Sequence, residues 1–450
     1  MEFGILILAI SLLAVVAIGQ LAQLIKDLAA LTLGQYEVLA ELLERNDFFQ
    51  RYLMVLIRTT GKSIKNLSID AVNRQLLKYF GYLVLYFAFI RGEFFYLTQL
   101  LKGDFPYQTS EWLINYGSGF VRRGLFGSLF LFVTPNQPWI HWLLFGFQFL
   151  LSAAIFIFFG LQLKKRAPNW FLTLLICSPA AICFTGWDSG AFGRKESIGY
   201  VVLIALTLAF QNNRTRRAEI LWLSSGIILF TLGIFTYEPI ALLLPSVIYL
   251  IIKAPALSYT HQNRRPLITA FSAISLVGFS LSTIFHGSQK DVAAMCANLA
   301  ANGLSDSRIC RGGIYWIGVN LSSNIDQLLQ CFPEYFIYLL FGLLAIAPYF
   351  FTRLVSTHKV YFFWAASFIA PLFLIAFDFG RWISIFVITT LIVLLAIDDI
   401  PDIKNRSIKY VAIAYIGLWG IPHSFPFGSS MPSVGLITTP MKYLANLFGI

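Results

Sequence analysis

Apolar runs long enough to cross a bilayer recur along the chain, each bounded by charge or by a turn. They lie near 3–20, 79–100, 138–163, 169–187, 197–211, 220–237, 239–252, 267–286, 335–351, 360–377, 382–398 and 409–422. A hydrocarbon core about 30 Å thick takes roughly 20 apolar residues per helix, so the pattern predicts an all-α, polytopic bundle of about 12 spans. The run at 3–20 lacks the positive start and small-residue cleavage site of a signal peptide and reads as a retained helix. Between 26 and 78, Leu28, Leu31, Leu39, Leu42 and Leu43 recur at helical spacing among basic residues, which predicts an amphipathic cytoplasmic segment on the lipid surface. The segment Leu125 to Val133 is apolar but too short to cross. It is expected to lie flat at the outer surface as a juxtamembrane helix.

Charge fixes the orientation. Basic clusters at Lys164/Lys165/Arg166, Arg214/Arg216/Arg217, Lys253/Arg264/Arg265, Arg353/Lys359 and Lys404/Arg406/Lys409 are separated by two crossings each, which places them inside by the positive-inside rule. The outer face then receives 101–137, 188–196, the Tyr237–Glu238 turn, the loop 287–334, Asp378 to Arg381 and the tail from His423. Three units follow: 1–78, an N-terminal membrane helix plus the amphipathic segment; 79–350, a transmembrane module with outer loops 101–137 and 287–334; and 351–450, the C-terminal helices and outer tail.

Composition narrows the class. Of 450 residues 58% are apolar and 12% charged, about half the charge of a soluble protein, so a soluble globular enzyme is excluded. The net charge of +11 is accounted for by cytoplasmic loops and needs no nucleic-acid partner. Five cysteines are too few for a disulfide scaffold. Cys296, Cys310 and Cys331 share the outer loop, where one disulfide is permitted and spacing does not choose the pair. His141, His261, His286, His358 and His423 are scattered and predict no metal site.

The polar chemistry gathers on the outer side. Asp104 to Gly127, DFPYQTSEWLINYGSGFVRRGLFG, carries Asp104 and Glu111, either of which could take a proton from an attacking hydroxyl. It also carries Arg122 and Arg123, suited to a phosphate. The same arginines could instead snorkel to headgroups. WDSGAFGRKES, from Trp187 to Ser197, places Arg194 and Lys195 beside Asp188 and Glu196; basic residues outside call for an anionic ligand or an internal ion-pair turn. Glu238 needs a cationic partner, for which the outer arginines are candidates. Asp378 and Arg381, in DFGRW, suit an ion pair across Gly380.

The order of these elements resembles the C-type (GT-C) integral-membrane glycosyltransferases and related bacterial O-antigen and exopolysaccharide assembly proteins. The residues concerned are the span 79–100, the acidic loop with Asp104 and Glu111, the short helix 125–133 and the span 138–163, then the turn with Asp188, Arg194 and Lys195. Phe230 to Leu250 is similar to a helix–turn–helix of the protein-mannosyltransferase-like branch, with Tyr237-Glu238-Pro239 where that branch tends to have Lys-Gly-Pro. The resemblance spans about 79–350. It implies a polyprenyl-phosphate or polyprenyl-diphosphate sugar donor, a glycan or lipid-linked acceptor, surrounding membrane lipids, and a bacterial inner-membrane location with the active site facing the periplasm or exterior. Asp104 would then be the general base with Glu111 as understudy. Arg122, Arg123, Arg194, Lys195 and Arg381 would hold the departing phosphate in an inverting transfer, supported by Asp188, Glu238 and Asp378, with a divalent cation optional. A polysaccharide polymerase, a lipid-linked sugar flippase or transporter, and a non-catalytic membrane subunit are the alternatives.

Overall fold

The computed structural model describes residues 69–423, except 105–106, 136–138, 167–168, 211–214, 257, 305, 320–324, 327–331, 377, 399 and 402–405. The expected first span, the amphipathic segment before 69, Cys331 and the tail beyond His423 lie outside the described residues. Met1–Tyr79 and Phe80–Ile450 form two compact units, the first described only over 69–79.

No strand is present among the described residues. The helices are α1 (Ile69–Leu101), α2 (Tyr107–Trp112), α3 (Leu125–Val133), α4 (Ile140–Lys165), α5 (Trp170–Cys177), α6 (Cys183–Trp187), α7 (Glu196–Ala209) and α8 (Arg216–Thr236). After a 3₁₀ segment at Glu238–Leu243 come α9 (Leu244–Lys253), α10 (Arg264–Ile284), α11 (Gln289–Ala301) and α12 (Ser307–Arg311). The last are α13 (Phe332–Ile346), α14 (Lys359–Ile369), α15 (Phe379–Ile397) and α16 (Arg406–Gly417), with short helical turns between some of them.

Among the described residues, five helices are long and apolar enough to cross a membrane: Tyr79–Leu101 within α1, then α4, α8, α10 and α15. That property is consistent with a membrane protein. Most other apolar runs are broken where proline removes a backbone donor. The run 169–187 divides into α5 and α6 around Ser178–Pro179, and 3₁₀ turns carry Pro239, Pro348 and Pro371. Glu196–Ala209, Phe336–Phe351 and Lys359–Leu374 are the shorter apolar helices. The nine-residue α3 is roughly 13 Å long, less than half a hydrocarbon thickness.

The five long helices differ in surroundings. Helix α15 has 89% of its apolar stretch buried, against 28–39% for the others, and it is enclosed by the shorter helices α7, α9, α13 and α14. Helix α7 packs against α8, α15 and α4, and α9 against α10 and α14. Phe94, Leu150, Leu221 and Leu276 stay exposed on α1, α4, α8 and α10, as expected of faces solvated by lipid rather than water.

Small residues set the close approaches around α2 and α3. A Cβ on Gly127 would stand 2.0 Å from the Ile114 carbonyl oxygen, so α3 is seated against the chain that leaves α2. Overpacking against backbone costs about 1–3 kcal/mol or more. Gly127→Val should therefore lower the melting temperature of the purified protein in detergent by several degrees. An unchanged melt would show that α3 is not seated there.

Candidate functional site

Five chain segments converge at the ends of apolar helices: Glu111 on α2, the Arg122–Arg123 turn, the Asp188–Glu196 connection from α6 into α7, Tyr237–Glu238 after α8, and Asp378–Arg381 at the start of α15. Their ion pairs form two linked groups. In the first, Arg381 grips Glu196 with a fork, Nε to Oε1 at 3.0 Å and Nη2 to Oε2 at 2.8 Å, and its Nη1 meets Asp378 at 2.5 Å. It also donates to the Tyr237 hydroxyl at 3.2 Å. Glu111 stands between two arginines, 3.2 Å from Arg194 and 3.9 Å from Arg381. All three side chains are nearly inaccessible.

In the second group, Arg123 holds Glu238 by a fork of 2.8 and 2.7 Å, and Arg122 adds a contact at 3.4 Å. Arg123 adopts φ 67°, a left-handed conformation that is uncommon for a side chain of this size. The strained peptide is held from inside: Lys195 Nζ donates to the Arg123 carbonyl at 3.0 Å, and its ammonium lies over the Trp112 ring. Lys195 thus joins the groups. It is also the cation of the cluster with no carboxylate within salt-bridge distance among the described residues.

Electrostatics follow from burial and pairing. For Glu111 burial opposes ionisation, but Arg194, Arg381, Lys195 and Arg123 outweigh it and hold the carboxyl below its usual range. Burial likewise works against Glu238, yet Arg123 and Arg122 bring it down to about 2. Burial pushes the Lys195 ammonium down to about 7, against the pull of Glu111. A buried charge left unpaired is costly, so each guanidinium here secures a carboxylate and the reverse.

Asp104 lies elsewhere. It is half-exposed at the end of α1 and meets Arg308 at 2.6 Å; Arg308 also holds Asp306. Asp188 is separate from Arg194 and Lys195 too. Its carboxylate accepts from the His423 backbone N–H at 2.6 Å, from Gly190 N–H at 2.8 Å, and meets His423 Nδ1 at 2.9 Å. Arg194 instead donates Nε to the Gly190 carbonyl at 2.7 Å and stacks on Tyr107, whose ring centre is 4.3 Å away. The structure therefore brings together Glu111, Arg122, Arg123, Arg194, Lys195, Glu238, Asp378 and Arg381, sets Asp188 at their edge, and leaves Asp104 outside.

Tyr237 and His423 belong to this region without having been assigned a site role from sequence, and Glu196, expected to pair with Arg194 or Lys195 in its own turn, pairs with Arg381 instead. Glu196 is within WDSGAFGRKES, but its partner is 185 residues away, and only the fold pairs them. A water-sized crevice lies beside the cluster, with Arg194, Glu196, Ser152, Phe156, Phe192 and Ile182 among its lining residues. Above α2 sits a cap formed by α11 and α12, joined by a Cys296–Cys310 disulfide. It docks through Ser110 to the Ile309 carbonyl and through Asn298 to Asn115. A Cβ on Gly313 would stand 2.6 Å from Glu111 Cα, so the cap rests directly on the Glu111 backbone. Among the described residues, no group of three His, Cys, Asp or Glu side chains is placed to hold a metal ion. Comparison with protein-family models, with curated proteins and with solved structures gives no match.

Because the Glu238 carboxyl is depressed from about 4.5 to about 2 on folding, its stabilisation is complete above about pH 4.5 and is lost as pH falls towards 2. The effect is on the order of 3 kcal/mol. Melting temperature in detergent should fall across that window, and Glu238→Gln should be less stable at neutral pH with a flatter acid limb. The same acid limb in Glu238→Gln as in the wild type would remove Glu238 as its source.

Proposed function

We propose that the protein is a membrane glycosyltransferase that takes sugar from a polyprenyl-phosphate or polyprenyl-diphosphate donor during cell-surface polysaccharide assembly. The observation that carries this reading is the meeting of Arg194 and Arg381 on one buried carboxylate, Glu111, at the ends of apolar helices. Two planar cations in that position match a phosphate joined to a hydrocarbon chain. A bundle of about 12 spans in the bacterial inner membrane, with this site at the periplasmic side, belongs to the same proposal. The disulfide in the cap supports that side, since such bonds persist in oxidising compartments.

The chemistry then rests on charge that grows on the departing phosphate as the glycosidic bond breaks. Arg194 and Arg381 receive it, with Arg122, Arg123 and Lys195 adding positive potential behind them. Donor phosphate takes the place of Glu196 on the Arg381 fork and of Glu111 beside Arg194, so the arginines exchange one anion for another. Glu111 keeps the pair in register in the absence of donor. A carboxylate held so firmly ionised is a weak base, and Asp104 is engaged by Arg308. The carboxylates are occupied by arginine, which does not fit a divalent ion, and no step is assigned to one. A polymerase acting on lipid-linked repeat units uses the same site and differs in its acceptor.

One observation favours a transporter of lipid-linked sugar. Both carboxylate oxygens of Glu93 are buried without a hydrogen-bond partner among the described residues, roughly 12 Å from the end of α1. Ionisable groups at such depth line transport paths.

In cells lacking the chromosomal copy, Arg381→Lys and Arg194→Lys keep the charge but lose the planar guanidinium and its several donors. Each should reduce sugar incorporation into surface polysaccharide about a hundred-fold or more, while Asp104→Asn and Glu93→Gln stay near wild type. Normal incorporation in both arginine variants, at wild-type levels in the membrane, would contradict the transferase reading. Loss confined to Glu93→Gln would support the transporter.

A further inference from the structure

His423 lies at the junction of the two arginine anchors. Its backbone carbonyl accepts from Gly380 N–H at 3.2 Å, one residue before Arg381. Its ring packs on Gly190, where an added Cβ would stand 2.4 Å from Cε1, and the Gly190 carbonyl is the one gripped by Arg194. The preceding residue is fixed as well: Tyr338 donates to the Pro422 carbonyl at 3.3 Å, and Gly380 fits beneath it for want of a side chain. Asp188 is buried and meets Nδ1 with both oxygens, at 3.0 and 2.9 Å. A ring nitrogen that close to both oxygens of a carboxylate is the one that carries the proton, so in the neutral ring Nε2 presents the lone pair. It has no partner among the described residues, and the side chain is 27% exposed at the open edge of an otherwise closed cluster. The charged and titratable groups around it are Asp188, Asp378 and Arg381, with Arg194 behind Gly190 and Tyr338 beneath Pro422.

We propose that Asp188 and His423 form the proton-accepting dyad of the transfer, His423 as the catalytic base and Asp188 as the residue that positions it. The inference rests on the glycosyl-transfer reading and assigns a step that reading leaves open. The acceptor hydroxyl oxygen bonds to the anomeric carbon while that carbon's bond to the donor phosphate oxygen breaks. The bonding electrons leave on the phosphate, facing Arg194 and Arg381, and the hydroxyl proton passes to His423 Nε2. The imidazolium so formed is stabilised by Asp188 and returns its proton to water. A buried carboxylate that fixes the tautomer of a histidine base is a recurring arrangement for such proton transfers.

The test uses the full chain in cells lacking the chromosomal copy, with labelled-sugar incorporation into surface polysaccharide as readout. His423→Gln should lose about a hundred-fold or more at normal membrane levels. Asp188→Asn should lose similarly, and Asp188→Glu should keep part of the activity. The decisive variant is His423→Gly with imidazole in the medium: a base is replaced by the added molecule, whereas a structural clasp is not. Recovery with imidazole supports the dyad. Near-wild-type incorporation in His423→Gln, or loss in His423→Gly that imidazole does not relieve, overturns it while the transferase reading stands on its arginine variants. Unchanged incorporation on deleting the whole chain overturns both and is seen before any histidine variant is made.

Discussion

Arg381 is a permanent cation buried at the head of the most enclosed helix of the bundle, and the architecture around it is what makes that position tenable. A guanidinium removed from water costs several kcal/mol unless its donors are met. Here they are met by Glu196 from α7, Asp378 from its own helix, Tyr237 from the end of α8 and, more distantly, Glu111 from α2. Four segments far apart in sequence are thereby tied at one point. The second fork, Arg123 on Glu238, repeats the solution a short distance away, and Lys195 joins the two by holding a strained backbone carbonyl.

That arrangement has a functional corollary. Removing one member of a buried ion pair is expensive, about 3–5 kcal/mol, because its partner is stranded. Exchanging a carboxylate for an incoming phosphate strands nothing on the arginine side. Under the proposed function the cluster is stable without ligand and receives an anion once the displaced carboxylates find water or a proton, and the partly exposed side chains of Tyr107, Asp378 and His423 mark where that exchange would meet solvent. The cap joined by Cys296–Cys310 fixes the opposite boundary by resting on Glu111.

The sequence made the helical class and the positions of the polar segments legible, because apolar runs and the charges that end them are local signals. The break at Pro179 and the 3₁₀ turns at Pro239, Pro348 and Pro371 were visible residue by residue but not as shortened helices, since run length alone ignores the missing backbone donor. Pairings were the harder part. Asp378 with Arg381, three residues apart, could be read from spacing, and Glu238 needed a cation that the outer arginines supply. Glu196 with Arg381, Asp188 with His423 and Asp104 with Arg308 depend on contacts across most of the chain, for which a single sequence holds no signal. His423 looked isolated because histidines were weighed against one another as metal ligands rather than against a distant carboxylate.

The most direct test is the fate of lipid-linked sugar when the protein is removed. In cells lacking the chain, polyprenyl-linked sugar should accumulate in the outer leaflet of the inner membrane, where a membrane-impermeant oxidant added to spheroplasts modifies it. Accumulation in a form the oxidant cannot reach would mean that the protein moves the lipid rather than consuming it. No accumulation would contradict the account.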